Sequence, residues 1–179
     1  MGRQKRETVW AYEQVTVLDG RSYYCAVLIF SDRAPEDEEE VYQRRGKSPF
    51  YATRDALIRD LSEDGLDLEP EPCVLDIDYA ICSVGAVLSP DRIEATLNAW
   101  NWFEDVMPIL GMPFAFRGKI ANKCYDKLFY GLNLPSVTPP GEHYVPMWRR
   151  KEGRKIAQVM RCGAARLRSH LSDAVPRDE

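Results

Sequence analysis

Residues 8–30, TVWAYEQVTVLDGRSYYCAVLIF, decide the fold, because two β-rich runs flank Asp19 and Gly20. Apolar and polar residues alternate along the first run, as they do along a strand whose two faces differ. Both central residues of a tight hairpin turn need a positive φ, which the Asp-Gly pair tolerates. The sequence therefore predicts an N-terminal antiparallel β-hairpin.

The remaining elements are predicted from hydrophobic periodicity and capping residues. Residues 73–88 alternate in the manner of one long strand. Helices are expected to begin after Thr53 and Ser89, which suit the N-cap position, and to cover residues 120–130 and 149–172. The predicted fold class is α+β, with a mainly antiparallel sheet of three to four strands, helices packed on one face and a basic amphipathic C-terminal helix.

Size and composition are those of a single domain over residues 1–179, since a chain of this length that is 45% hydrophobic can form one core. Residues 31–52 are predicted to be a long acidic loop, because they show no sustained apolar period. No run approaches the roughly 18 apolar residues of a membrane span. Five cysteines without a CxxC pair are typical of reduced thiols. We therefore expect a cytoplasmic protein that does not bind membranes.

Charge is distributed unevenly along the chain. Residues 117–168 hold 12 of the 24 Lys and Arg residues but only three acids, so they carry +9 and the remainder carries −13. Residues 60–91 contain nine acids and neither Lys nor Arg. Such asymmetry is evidence about binding partners rather than about fold.

The leading hypothesis is a non-enzymatic protein that inhibits or regulates a protein partner through an acidic surface, by analogy with immunity proteins, antitoxins and phage inhibitors. The partner is expected to be basic, because complementary charge speeds association. Motifs for nucleotide binding, serine hydrolysis and zinc proteolysis are absent, so no catalytic residue, metal ligand or cofactor is predicted. The candidate partner-binding residues are Glu36, Asp37, Glu38, Glu39, Glu40, Asp76, Asp78 and Trp102.

Trp102 belongs to this set because of its position relative to Trp100 on the predicted helix. Two residues along a helix correspond to a rotation of about 200°, so both rings cannot face one core. An outward tryptophan is a plausible interface anchor, since aromatic residues concentrate binding energy. The alternative is that Trp102 packs against a second layer, such as the final helix.

A first alternative function is nucleic-acid binding by the basic C-terminal segment. Arg154, Arg161 and Arg168 are seven residues apart and form one stripe on the last predicted helix. The basic residues are interleaved with the aromatic residues Tyr125, Tyr130, Tyr144 and Trp148. Phosphate contacts beside stacking platforms have this composition. Against it stand the low pI of 5.4 and the simpler interpretation of a solvated helix face.

A second alternative rests on Asp76 and Asp78, which on one strand would share a face and could hold a divalent metal. This apolar-Asp-apolar-Asp segment resembles the metal-binding strand of primase-like polymerases, and Asp-x-Asp resembles the first motif of haloacid-dehalogenase phosphatases. The resemblance is confined to these few residues and implies metal-dependent phosphoryl transfer. His143 is the candidate general base. It lies in residues 131–148, whose four prolines predict an extended connector or docking arm.

Overall fold

A computed structural model describes residues 8–30, 38–44, 47–82 and 89–174. Strands and helices both occur in this part of the chain, so the predicted α+β composition is confirmed. The elements are β1 (Thr8–Leu18), β2 (Arg21–Phe30), β3 (Glu38–Val41), α1 (Arg54–Glu63), β4 (Cys73–Asp76), α2 (Ile77–Cys82), α3 (Pro90–Ile109), α4 (Lys119–Gly131) and α5 (Arg150–Ala174).

The predicted hairpin is formed by β1 and β2, which pair antiparallel up to Leu18 opposite Arg21. Its turn has φ values of 54° at Asp19 and 69° at Gly20, as a type I′ turn requires. The sheet order is β3-β2-β1-β4, and β2 and β3 also pair antiparallel. The addition of β4 beside β1 makes the sheet mixed rather than purely antiparallel. A strand reached through a helical connection, unlike the second strand of a hairpin, can run in either direction.

The long strand predicted over residues 73–88 is wrong after Asp76. The chain continues directly into α2, and Asp76 Oδ1 caps this helix by accepting the backbone N–H of Tyr79 at 2.8 Å. Ile77 and Ala80 are both fully buried, so the apolar spacing fits a helix face as well as a strand face. The last part of the predicted strand lies outside the described residues.

The chain divides into two compact units, which we call the sheet unit (Met1–Leu75 with His170–Glu179) and the helical unit (Asp76–Ser169). By sequence, the sheet unit contains 19 acids and 11 Lys or Arg residues, and the helical unit contains 9 acids and 13. Their formal net charges are therefore −8 and +4. The uneven charge of the sequence follows the two units, whereas the single-domain interpretation stays a prediction.

In the sheet unit, α1 packs on one face of the sheet. Leu57 and Leu61 of this helix are buried in one apolar cluster with Ala26 of β2. The helix begins where predicted, because the side chain of Thr53 accepts a hydrogen bond from the backbone N–H of Ala56.

Part of the segment predicted as a long acidic loop is bound to α1 through Asp60. The Asp60 carboxylate accepts hydrogen bonds from Lys47 Nζ at 2.7 Å, Arg44 Nη1 at 3.0 Å and Tyr51 OH at 3.0 Å. The Lys47 bond contributes most to lowering the pKa of Asp60, and burial opposes it. The strand β3 lies within the same segment, where it pairs with β2.

In the helical unit, α3 and α5 approach closely at Gly163. A methyl group on this glycine would overlap the ring of Phe103, which is fully buried. Helix α3 begins after the predicted cap Ser89 and ends one residue after Pro108. Among the described residues, no helix combines the length and apolarity needed to cross a bilayer. The predicted apolar face of α5 is confirmed, since it is buried at Ile156, Val159, Met160, Gly163, Leu167 and Leu171.

Candidate functional site

The first turn of α5 is built on a buried ion pair. Glu152 is 1% exposed, and its Oε2 accepts hydrogen bonds from Lys127 Nζ and from the backbone N–H of Arg149, both at 2.8 Å. The second bond satisfies a backbone donor that the start of a helix otherwise leaves unpaired. Burial raises the pKa of Glu152, but the bonds from Lys127 and Arg149 outweigh this effect, so the pKa lies below its usual value.

The solvent side of α5 carries positive charge. Between residues 150 and 168 the helix contains one acid, Glu152, which is buried. Helix α5 has 25 residues, which corresponds to about 37 Å. The exposed basic residues, which we call the basic face, are Arg150, Lys151, Arg154, Arg161 and Arg168.

The predicted arginine stripe, Arg154, Arg161 and Arg168, thus lies on one exposed side of the helix. In the part of the chain that the structure describes, no ion pair forms with Arg154 or Arg161, nor with Arg150 or Lys151 in the first turn. These four cations therefore keep their charge available to a partner.

Helix α4 adds two exposed lysines, Lys119 and Lys123, one turn apart. The next lysine on the same side, Lys127, forms an ion pair with Glu152. The charge of Lys123 also helps to lower the pKa of Glu152, which places Lys123 near the start of α5.

Two of the four candidate stacking residues, Tyr125 and Trp148, serve internal packing. Tyr125 OH donates a hydrogen bond to Asn101 Oδ1 at 2.9 Å. Trp148 lies under the Lys127 ammonium, which is 5.5 Å from its ring centroid. Both side chains therefore make contacts within the helical unit.

The other two aromatic residues, Tyr130 and Tyr144, line a cleft of about 280 Å³ at the carboxyl end of α4. They are 49% and 40% exposed, and their ring centroids are 6.3 Å apart with planes inclined by 75°. A flat group can therefore lie on one ring while its edge meets the other. The remaining lining residues are Val137, Thr138, Pro139, Glu142 and His143.

A type II turn presents Glu142 and His143 at this cleft. The backbone N–H of Glu142 donates to Pro139 O at 3.0 Å, and Gly141 has a φ of 84°. Proline at the second position and glycine at the third are the residues that such a turn favours. The sequence interpretation of this segment as an extended connector missed the turn, for which Pro-Pro-Gly-Glu is the signal.

The backbone around the cleft is held by Asn133. Its Nδ2 donates to Gly131 O at 3.0 Å and to Tyr144 O at 3.1 Å, and its Oδ1 accepts the backbone N–H of Tyr144 at 2.6 Å. Asn133 has a φ of 52°, a conformation that asparagine adopts more readily than most residues. Lys127 Nζ also donates to Met147 O. The proline-rich segment is thus attached to α4 and its C-terminal end at Tyr144 and at Met147.

The candidate partner-binding residues of the leading hypothesis are divided between the two units, with Glu38, Glu39 and Glu40 in the sheet unit and Asp76, Asp78 and Trp102 in the helical unit. Glu36 and Asp37 lie outside the described residues. Glu39 and Glu40 are exposed neighbours in β3, and adjacent strand residues point to opposite faces of a sheet. Trp102 is 7% exposed because α3 is buried around most of its circumference, which agrees with the alternative that this ring packs against a second layer.

Asp76 and Asp78 do not share a strand face, which corrects the geometry on which the metal hypothesis was based. Asp76 caps α2, and Asp78 lies in the first turn of that helix. Within the described ranges, no group of three or more His, Cys, Asp and Glu side chains is arranged to hold a metal ion. Metal-dependent phosphoryl transfer therefore has no geometric support from this pair.

Comparison with known proteins finds no relative: no protein-family model, no curated protein and no solved structure matches this chain. Inference about function therefore depends on the charge, exposure and shape of the helical unit and the sheet unit, each taken by itself.

Proposed function

We propose that this protein binds nucleic acid and that the basic face of α5 contacts the phosphate backbone. The observation that carries this proposal is the uniform sign of the exposed charges between residues 150 and 168 of that helix, where the one acid is buried. The low pI of 5.4 does not oppose it, because the helical unit by itself carries +4.

The uniform charge distinguishes this helix from an ordinary solvated one. Surface helices are stabilised when acidic and basic residues alternate three or four positions apart, and like charges at these spacings repel. On α5, Arg154 follows Arg150 by four residues and Lys151 by three. Such repulsion is relieved when a polyanion binds, so the arrangement favours an anionic partner.

The length and composition of the basic face favour nucleic acid over an acidic protein. Residues 150–168 correspond to about 27 Å of straight helix, and a duplex presents one phosphate for about every 1.7 Å of its axis. Four of the five residues are arginines, whose guanidinium groups bind phosphate through two parallel hydrogen bonds. A protein partner would need an acidic surface of the same length.

The test is the binding of a fluorescein-labelled duplex of mixed sequence, measured by anisotropy. The variant R154Q/R161Q removes two charges from the basic face. The control R21Q/R59Q removes two exposed arginines of the sheet unit, so both variants have the same net charge. We expect the first to weaken binding by about tenfold or more and the control by less than about twofold, because only the first loses phosphate contacts. The proposal would be overturned if the two variants weakened binding equally, or if the wild type bound neither this duplex nor a single strand of the same sequence.

A second candidate function is the binding of a basic protein by the sheet unit, in line with the leading sequence hypothesis. It is favoured by the net charge of −8 and by the exposed acids Asp67, Glu69 and Glu71 between α1 and β4. Complementary charge would steer such a partner to this surface.

Charge reversal tests this second candidate. The variant E39K/E40K reverses the charge of two candidate residues of the leading hypothesis. It should lose any protein that co-purifies stoichiometrically with the wild type, while its thermal midpoint stays nearly unchanged. A partner that is retained in full would contradict a role for these two acids.

A further inference from the structure

We infer that the cleft lined by Tyr130 and Tyr144 holds an unpaired nucleobase with an exocyclic amino group, from a strand whose phosphates lie on the basic face of α5. The inference rests on the proposed nucleic-acid binding but concerns a different part of the helical unit. It adds that the nucleic acid offers the cleft a single-stranded or locally unpaired base, beside the phosphate contacts that a duplex also makes with the basic face.

The shape of the cleft supports a flat ligand. The two tyrosine rings are nearly perpendicular, with an inclination of 75° and centroids 6.3 Å apart. A base can stack on one ring and present its edge to the other, and such stacking does not depend on a particular sequence. The volume of about 280 Å³ belongs to an open surface cleft rather than to a closed cavity, so a base can enter while its sugar and phosphate remain outside.

The polar lining of the cleft supports a base that donates hydrogen bonds. The carboxylate of Glu142 is an acceptor, and carboxylates accept from the amino group of cytosine. Adenine and guanine also carry an amino group, whereas thymine and uracil present carbonyl oxygens on both sides of their N–H and would be repelled. Thr138 and His143 line the same cleft and can pair with acceptors of the base.

Exposed apolar side chains connect the cleft with α5. Val145 and Met147 follow Tyr144 and are 68% and 83% exposed. Exposed apolar side chains in a row mark a binding surface more often than isolated ones do. Arg150 is six residues beyond Tyr144, so their Cα atoms are at most about 20 Å apart. A short strand with one base in the cleft can therefore place phosphates on the first turns of the basic face.

The test compares labelled single strands of oligo-dC and oligo-dT with the duplex used above. In Y130A/Y144A we expect oligo-dC to bind about tenfold more weakly or worse, the loss expected for one stacked base, while duplex affinity is unchanged. The control Y130F/Y144F keeps both rings and should bind as the wild type does. The wild type should bind oligo-dC more tightly than oligo-dT, and in E142Q the ratio of these two affinities should fall towards one.

The possible failures of this inference and of the proposed function can be told apart. If Y130A/Y144A, with an unchanged thermal midpoint, binds oligo-dC as the wild type does while R154Q/R161Q weakens duplex binding, the cleft inference is overturned and the proposed function stands. If neither duplex nor single strand binds, both are overturned. If free cytidine monophosphate binds the cleft as tightly as oligo-dC, the site takes nucleotides rather than a base within a strand, and the inference is again overturned.

Discussion

Lys127 and Glu152 form a buried ion pair that joins α4 to the first turn of α5, with Nζ 2.8 Å from Oε2 and side chains that are 12% and 2% exposed. Lys127 lies one turn before Tyr130 of the cleft, and Glu152 lies between Lys151 and Arg154 of the basic face. The pair thus sets the position of the basic face relative to α4.

Loss of one partner of this pair should destabilise the protein. K127M is expected to lower the free energy of unfolding by about 3–5 kcal/mol, because a buried carboxylate is left without its cation. K127M/E152M should recover part of this loss, since no buried charge then remains. Urea unfolding at neutral pH measures both. The control K123M, at an exposed lysine one turn earlier, should change stability by less than about 0.5 kcal/mol. A double variant less stable than K127M would contradict the claim that the unpaired carboxylate of Glu152 causes the loss.

Replacement of two glycines of α5 by alanine should change the stability of the protein in opposite directions. G163A is expected to destabilise the protein by about 1–3 kcal/mol, because the added methyl group overlaps the Phe103 ring. At Gly153 a methyl group would meet nothing within 4 Å, so G153A should stabilise the helix by about 0.5–1 kcal/mol. Thermal and urea unfolding of both variants provide the measurement. A stabilising G163A would show that α3 and α5 are not in close contact there.

The pH dependence of stability should depend in part on Asp60. The pKa of this carboxyl is lowered in the folded protein, chiefly by the Lys47 hydrogen bond. The ionised Asp60 therefore contributes fully to stability at pH values well above the unfolded pKa of about 3.9. This contribution is lost as the pH falls through the lower pKa of the folded protein. We expect D60N to be less stable than the wild type at pH 7 and to lose less stability on acidification. The control D67N, at an exposed acid, should follow the wild type. If D60N and the wild type lost stability equally on acidification, the hydrogen bonds to the Asp60 carboxylate would not be the cause of the pH dependence.

The cysteines should differ in reactivity towards iodoacetamide. Cys25 and Cys124 are buried, and burial is the largest cause that raises their pKa values, that of Cys124 to about 11. Cys82 is exposed. In the native protein at pH 8, peptide mass spectrometry should find Cys82 modified and the two buried thiols unmodified until urea is added, since the thiolate is the reactive form. Modification of Cys124 as fast as Cys82 would contradict its burial.

The hairpin and the last helix could be predicted because each has a local cause. Asp19 and Gly20 supply the two positive φ values that the turn needs, and no distant contact is required. On α5, the buried apolar stripe and the exposed arginines at 154 and 161 both follow from helical periodicity.

Other features could not be predicted, because they depend on competing or distant interactions. The spacing of apolar residues around Asp76 fits both a strand and a helix, and the N-cap that the Asp76 side chain forms favours the helix. The cleft depends on contacts between residues far apart in sequence, such as Asn133 with Tyr144. For Trp102, the periodicity of one helix left an outward ring and a packed ring as alternatives, and the packing around α3 decides between them.

The binding of phosphates by the basic face of α5 is tested most directly by the salt dependence of duplex affinity. Release of counterions lowers log K linearly with log salt, with a slope of about −0.9 for each phosphate contacted. If three or four cations of the basic face contact phosphates, the wild type should show a slope of about −3, and R154Q/R161Q should reduce its magnitude by about 2. A slope near zero, or a slope that R154Q/R161Q leaves unchanged, would contradict the proposed function.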